Sequence, residues 1–266
     1  MVFFSLGLET YPDQLEPSNQ DAAVWRFMNM RKFRDLLTTA ELYFCRADLF
    51  TNDEREGLPP EEYLATLGLN PLDINERREL LHTIGSDAQF REGFYINCWH
   101  LFREETAQMW KVFGDNGVAI CSRYDLLKSA LSAIEDRAYV GLVRYGSEHL
   151  IGQRWNLFRL ITTKRLQYAE EREVRAFLWI MDPNAGINRH IDADNRLHPC
   201  PLTPPPPHVL KAHRRRVELK QLVTRIVVSP WASSATRDEV EQLVRDSGYT
   251  IPVQVSELAR YQALLP

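Results

Sequence analysis

The residues best suited to chemistry stand together in "YAEEREVR", residues 168–175, where Glu171 and Glu173 are one residue apart and Arg175 follows at the same spacing. On a β-strand, side chains alternate faces and rise roughly 3.3 Å per residue, so the two carboxylates would sit ~7 Å apart on one face. Carboxylates placed this way can divide labour: one holds a ribose hydroxyl, the other stabilises a developing cation or acts as a base. The same triplet also fits the solvated start of a strand, with an internal ion pair to Arg175 that contributes little at a surface. Period two favours a strand over about 173–180. Val174, Ala176, Leu178 and Ile180 would then share an apolar face, and Glu171, Glu173, Arg175, Phe177 and Trp179 the other.

Other candidates are more scattered. Arg26, between Trp25 and Phe27 on a predicted strand, can clamp a phosphate or carboxylate bidentately, or pair with a neighbouring acid. "FTNDEREG" (50–57) sets Asn52, Asp53, Glu54 and Glu56 after a strand. It lacks the D-x-[DN]-x-[DN]-G spacing of a calcium loop and reads as a loop lip or a capping loop. Cys98 as a nucleophile needs an orienting histidine, and His100 alone is weak support for one. Met109, Trp110 and Phe113 fall at helical spacing and read as core. His190, His198, His208, His213 and Cys200 match no standard zinc spacing. Lys211 and "HRRR" (213–216) form a compact basic run, read as a solvated helix face or as an RNA or anion contact through Lys211, Arg214, Arg215 and Arg216.

The elements that must position these groups follow from pattern. Strands are predicted at 23–30, 41–50, 93–100, 117–122, over "AYVGLVRY" (138–145), in "LKQLVTRIVVSP" (219–230) and in "IPVQVSEL" (251–258). Helices are predicted after the first strand ("RKFRDLLTTA"), over 60–92, in "REETAQMWKVFG" up to Gly114, in "YDLLKSALSAI" and over 148–166. A further helix is predicted in "TRDEVEQLVRDSG", with Thr236 as N-cap, Glu239 completing a capping box and Gly248 as terminator. Residues 182–209, with four consecutive prolines at 204–207, read as an exposed loop or arm within the domain. These alternations predict one α+β domain over 1–266, with a mixed, mostly antiparallel sheet flanked by helices and no glycine-rich phosphate loop.

Bulk properties bound the function. At 266 residues, 44% hydrophobic and 26% charged, with a formal net charge of -4, the chain is globular and too acidic for a dedicated DNA-binding protein. Cys45, Cys98, Cys121 and Cys200 form no C-x-x-C pair, which fits reduced thiols in a cytoplasm. The first residues lack the basic start of a signal peptide, and no apolar stretch reaches membrane-spanning length, so a soluble cytoplasmic protein without membrane association is expected.

In linear order, Trp25-Arg26-Phe27, "LYFCRADLFTNDEREG", Cys98-Trp99, "QMWKVFGDNGVAI", Lys164, "YAEEREVR" and "RIVVSP" resemble a widespread bacterial domain-of-unknown-function family, number 2971. Its members typically read tyrosine-arginine-tyrosine, phenylalanine-asparagine-aspartate-proline-x-glutamate, methionine-tryptophan and glutamate-x-glutamate-x-arginine. The match spans about residues 24–258. It implies a site drawing on Arg26, Asp53, Glu56, Cys98, Trp110, Lys164, Glu171, Glu173 and Arg175. Here "FTNDEREG" carries an inserted position and no proline, and the proline-rich arm is not typical.

A second resemblance is to the ADP-ribosyltransferase arrangement of an early-strand arginine, a middle strand with a small polar or aromatic residue, and a late Glu-x-Glu. It implies NAD as co-substrate and no required cofactor. Arg26 would contact the NAD phosphates, Glu173 would be the catalytic glutamate and Glu171 would orient the nucleophile. Tyr43 and Cys98 both stand as candidates for the middle strand. Such families often act as effectors in phage defence or as toxins. The alternatives are a non-catalytic nucleotide- or RNA-binding module using Arg26, Lys164, Arg165 and the 211–216 run, and a metal-dependent nuclease using Asp53, Glu56 and the later glutamates.

Overall fold

A computed structural model describes residues 7–50, 90–114, 116–146, 156–181 and 207–264, with isolated positions between them. Asp53, Glu56, most of the helices expected over 60–92 and most of the 182–209 arm lie outside the described residues; at the end of the helical expectation Arg91–Gly93 form a 3-10 turn.

The chain forms an α+β fold around one ten-stranded mixed sheet. In chain order the strands are β1 (Gly7–Leu8), β2 (Ala23–Met28), β3 (Glu41–Arg46), β4 (Phe94–Leu101), β5 (Val118–Arg123), β6 (Arg137–Leu142), β7 (Arg144–Tyr145), β8 (Thr163–Lys164), β9 (Glu173–Trp179), β10 (Ala212–Arg216), β11 (Arg225–Val228) and β12 (Val253–Val255). The main path runs β1-β6-β9-β4-β2-β5-β11-β12, with β3 and β10 branching from β4 and with β7-β8 forming a separate parallel pair. Pairings along the sheet are antiparallel except β1 with β6 and β11 with β12.

The branch point positions the site. Along one edge of β4, β2 pairs only at Val24↔Leu101 and Trp25↔His100, while β3 pairs only at Cys45↔Ile96 and Arg46↔Tyr95. Asn97, Cys98 and Trp99 are left between the two ladders. The sheet therefore forks over the middle of β4, with β2 on one side and β3 on the other. The Asn97 side chain spans part of the opening, donating from Nδ2 to the Tyr43 carbonyl at 2.8 Å and accepting at Oδ1 from the Trp99 indole at 2.7 Å. Helix α1 (Met30–Thr39), capped by the Asn29 side chain, crosses from β2 to β3 and buries Phe33, Leu36 and Leu37.

One face of the sheet carries the larger core, with Val24, Leu42, Phe44, Tyr95, Trp99, Val174, Ala176 and Leu178 among its members. The opposite face carries two smaller apolar clusters. One groups Tyr11, Phe94, Ile96, Tyr139, Ile161 and Phe177. The other groups Trp25, Phe27, Phe102, Met109, Trp110 and Cys121. The charged residues of β9 and the polar residues of β4 lie between these two clusters.

Several local expectations are corrected. The helix expected over 148–166 is described as α3 (Leu157–Thr162), after which the chain extends into β8 and then forms a 3-10 turn, Leu166–Glu171. The basic run is strand β10, because pairing with β3 supplies backbone partners that an isolated polar helix would lack. A helical turn, Leu219–Leu222, precedes β11 where one strand was expected. The last long helix, α4 (Ser234–Asp246), is capped by Ser233, whose side chain accepts from the Thr236 N–H. Thr236 thus lies inside the first turn. Ser233 is itself a good N-cap residue three positions earlier, so the boundary moves by one turn. Helix α2 (Tyr124–Ser132) matches its pattern. Among the described residues, no helix is long and apolar enough to cross a membrane.

Candidate functional site

Strand β9 is paired at both edges, by β4 and β6, and its faces are covered by the main core on one side and by the cluster of Tyr11, Ile161 and Phe177 on the other. The alternation expected from sequence is present, with Val174, Ala176 and Leu178 in the main core. The charged face is not solvated, however: the side chains of Glu173 and Arg175 are 2% and 1% exposed. The reading of a solvated strand start is corrected on this point. A surface ion pair needs open water, and β4, β6 and α3 exclude it here.

Arg175 forms two parallel hydrogen bonds to the Glu173 carboxylate, Nε to Oε1 and Nη2 to Oε2, each 2.9 Å, and donates from Nη1 to the Ile161 carbonyl. Lys164, brought in by β8, donates to Glu171 Oε2 at 2.7 Å and lies 3.5 Å from Glu173 Oε2. The Cys98 thiol also hydrogen-bonds Glu173. Burial alone would push the Glu173 carboxyl up, but the Arg175 and Lys164 charges and these hydrogen bonds outweigh it and hold Glu173 at about 2, ionised. Its backbone N–H donates to the Tyr145 hydroxyl at 2.7 Å, which locks the start of the strand.

His100 faces Glu173 across the β4-β9 ladder. It is 4% exposed, and burial moves its imidazole down to about 4, against the opposing pull of Glu173, so the ring is neutral at pH 7. Nδ1 lies 2.9 Å from the Glu171 carbonyl oxygen. A carbonyl only accepts, so the single ring proton sits on Nδ1 and Nε2 presents a lone pair.

Arg26 comes from β2, beside the fork. It is only partly buried, and its charge is felt by both the Cys98 thiol and the His100 ring. Among the described residues no carboxylate pairs with it, and burial lowers its guanidinium to about 10, still fully charged at pH 7. Arg175 and Lys164 are each paired with glutamates. Arg26 is the cation of the group left with charge to offer.

The remaining sequence candidates fall in different places. Tyr43 is 40% exposed on β3, across the fork, where Arg214 stacks 5.5 Å from its ring centre. Register puts it on the same sheet face as Cys45, next along from Cys98's position on β4. Trp110 is fully buried, edge-on to Phe27 at 4.9 Å, and donates to Glu105 at 2.7 Å. It stands one ring behind the cluster. In the basic strand, Arg214 pairs with Asp35 at 2.8 Å, and Arg215 pairs with Asp136. Lys211 and Arg216 remain at the outer edge.

The structure thus brings Cys98, Lys164, Glu171, Glu173 and Arg175 together around the C-terminal half of β4; Arg26, alternating with Trp25 and Phe27, falls on the sheet face of Val24 and Met28, from which its charge still reaches Cys98 and His100. His100 and Tyr145 were not among the candidate site residues. His100 carried a signal in sequence, since it lies two residues after Cys98 on the same strand face. Tyr145 carried none, because its role depends on the β7-β8 pairing. No family model matches the chain, and the comparisons with curated proteins and with solved structures found no match.

Proposed function

We propose that the chain is an NAD-consuming, ADP-ribosyltransferase-like enzyme whose ligand cleft is the fork over the middle of β4. What supports this reading above all is the adjacency of three strands: β9 with Glu173 and, in the turn just before it, Glu171; β4 with Cys98 and His100; and β2 with Arg26. An arginine, a polar middle strand and a Glu-x-Glu are the groups such chemistry needs, and here they come from neighbouring segments of one sheet. Arg26, without an acid partner among the described residues, suits a dinucleotide phosphate, where a planar guanidinium binds two oxygens at once. Breaking the bond between ribose and nicotinamide leaves positive charge on the ribose carbon and ring oxygen. An ionised carboxylate beside it offsets that charge without taking up a proton. Glu173 is held ionised by its partners. Its role is electrostatic and positional, and proton abstraction falls to another group. Nicotinamide leaves with the bonding electron pair, and water or a target nucleophile completes the ribose carbon and releases a proton.

The test is incubation with NAD, alone and with a cell extract as the source of targets, followed by measurement of free nicotinamide. Release that falls at least tenfold in Glu173→Gln is expected. The reading is sunk by no release, or by release that Glu173→Gln leaves untouched. Release should be accompanied by growth arrest on expression in cells, as for a defence or toxin effector.

One observation favours a second reading, a non-catalytic nucleotide-binding module. Both glutamates are already neutralised by Lys164 and Arg175. Binding of NAD without any nicotinamide release, weakened in Arg26→Ala, would select it. The nuclease alternative draws no support from the described residues, among which no group of three or more metal-ligating side chains gathers.

A further inference from the structure

His100 is a nearly buried imidazole whose two nitrogens have unlike surroundings. Nδ1 is fixed as a donor by the Glu171 carbonyl at 2.9 Å. Around the ring stand Phe113 at 5.0 Å, Phe27 at 6.0 Å and Phe102 at 6.2 Å between centroids. None of these rings carries a hydrogen-bond donor. Among the described residues nothing donates to Nε2, which lies across the ring from Nδ1, and Phe27 of β2 is one of the rings beside it. An acceptor that no described protein group uses, and that is not among the fully buried polar atoms left without a partner, is open to a donor from a ligand. Protonating it would add a third cation close to Arg26 and Lys164 in an aromatic enclosure, which burial disfavours.

We propose that His100 is a specificity-determining residue of this cleft: its Nε2 accepts a hydrogen bond from an N–H or O–H donor of the ligand, so the cleft selects a carboxamide-bearing dinucleotide over its carboxylate analogue. This rests on the NAD reading above. The discrimination runs against the local charge. Arg26, Lys164 and Arg175 would by themselves favour the extra carboxylate of the analogue, whereas a neutral acceptor meeting a carboxylate oxygen places two lone pairs against each other. A site built to receive a donor rejects an analogue that lacks it, because its own polar group is then left unpaired.

The experiment compares NAD with nicotinic acid adenine dinucleotide by calorimetry on the full chain, in wild type and in His100→Phe. Nitrogen-15 NMR of the histidine side chains in the wild type reports the His100 tautomer. NAD is expected to bind about tenfold tighter than the acid analogue in wild type, with the preference falling to about twofold or less in His100→Phe. The nitrogen spectrum is expected to show a protonated Nδ1 and an unprotonated Nε2 at pH 7, with Nε2 shifting when NAD is added. Should His100→Phe fail to fold, the Nε2 shift carries the test in its place. Equal binding of the two dinucleotides to wild type, a charged ring at pH 7, or an Nε2 unmoved by NAD overturns the proposal while leaving the NAD reading intact. Failure of both dinucleotides to bind overturns that reading, and the proposal with it.

Discussion

Strands β9 and β10 both begin as runs of charge, "EEREVR" and "HRRR", and end in opposite circumstances. Strand β9 lies between β4 and β6, so its Glu173 and Arg175 are sealed from water and must satisfy each other. Strand β10 pairs only with β3, and its arginines reach surface acids: Arg214 and its partner Asp35 keep 40% and 41% exposure. The same kind of pair has different consequences in the two settings. At the edge, water screens it and its loss is minor. In the centre, removal of one partner strands the other in a medium that cannot solvate it.

The largest expected effect is therefore at the centre. Arg175→Met should destabilise the fold by about 3–5 kcal/mol, by leaving Glu173 buried with Lys164 as its remaining cation. Denaturant unfolding measures this, and a loss below about 1 kcal/mol would place β9 in the same class as β10.

The acid limb of the stability curve is the next largest effect. Glu173 is lower when folded than its ordinary 4.5, so its contribution is complete above pH 4.5 and is lost as pH falls toward about 2. His100 is also lower when folded, about 4 against 6.5. Between those values the unfolded chain binds a proton that the folded one does not, so stability rises with pH across that window. His100→Gln should flatten the slope between pH 4 and 6.5 and leave the lower limb in place. Unfolding series at half-unit pH steps would separate the two windows, and an unchanged upper slope would show that His100 titrates normally.

Arg26 breaks the contrast from within, being a cation near the centre without an acid partner among the described residues. Arg26→Met should abolish dinucleotide binding while changing stability by no more than about 1 kcal/mol in either direction, since no ion pair is lost. A large destabilisation would assign Arg26 to the fold. The smallest effect belongs to the edge: Arg214→Ala should cost about 0–1 kcal/mol, less in high salt, with dinucleotide affinity unmoved.

Much of this was legible in the residues. Period two in "EVRAFLW" identified β9 and both of its faces, because strand geometry alone puts alternate side chains on opposite sides. The α+β class followed from alternating short patterns, and the helix over "YDLLKSALSAI" from its apolar spacing. Boundaries were less legible. Ser233 and Thr236 are both acceptable caps, and only the packed helix chooses between them. The basic run had no period to read, and a strand partner distant in sequence, Glu41–Arg46 against Ala212–Arg216, fixed its form.

Sequence by itself determined which residues carry charge, which strand holds Glu173 and Arg175, and that these two share a face; Glu171, expected on the same strand, lies in the 3-10 turn before it. Tertiary structure alone decided that the Glu173 and Arg175 side chains are closed to water, that Lys164 neutralises both glutamates, that β4 runs between the strands of Arg26 and Glu173, and that Arg26 has no acid partner among the described residues. The division has a physical cause. Alternation along a strand is a local consequence of backbone geometry, whereas burial and ion pairing depend on which distant segments pack alongside. In this chain, the neighbours that turn a run of charged residues into a candidate site come from β2, β4 and β8, tens of residues away or more for the first two.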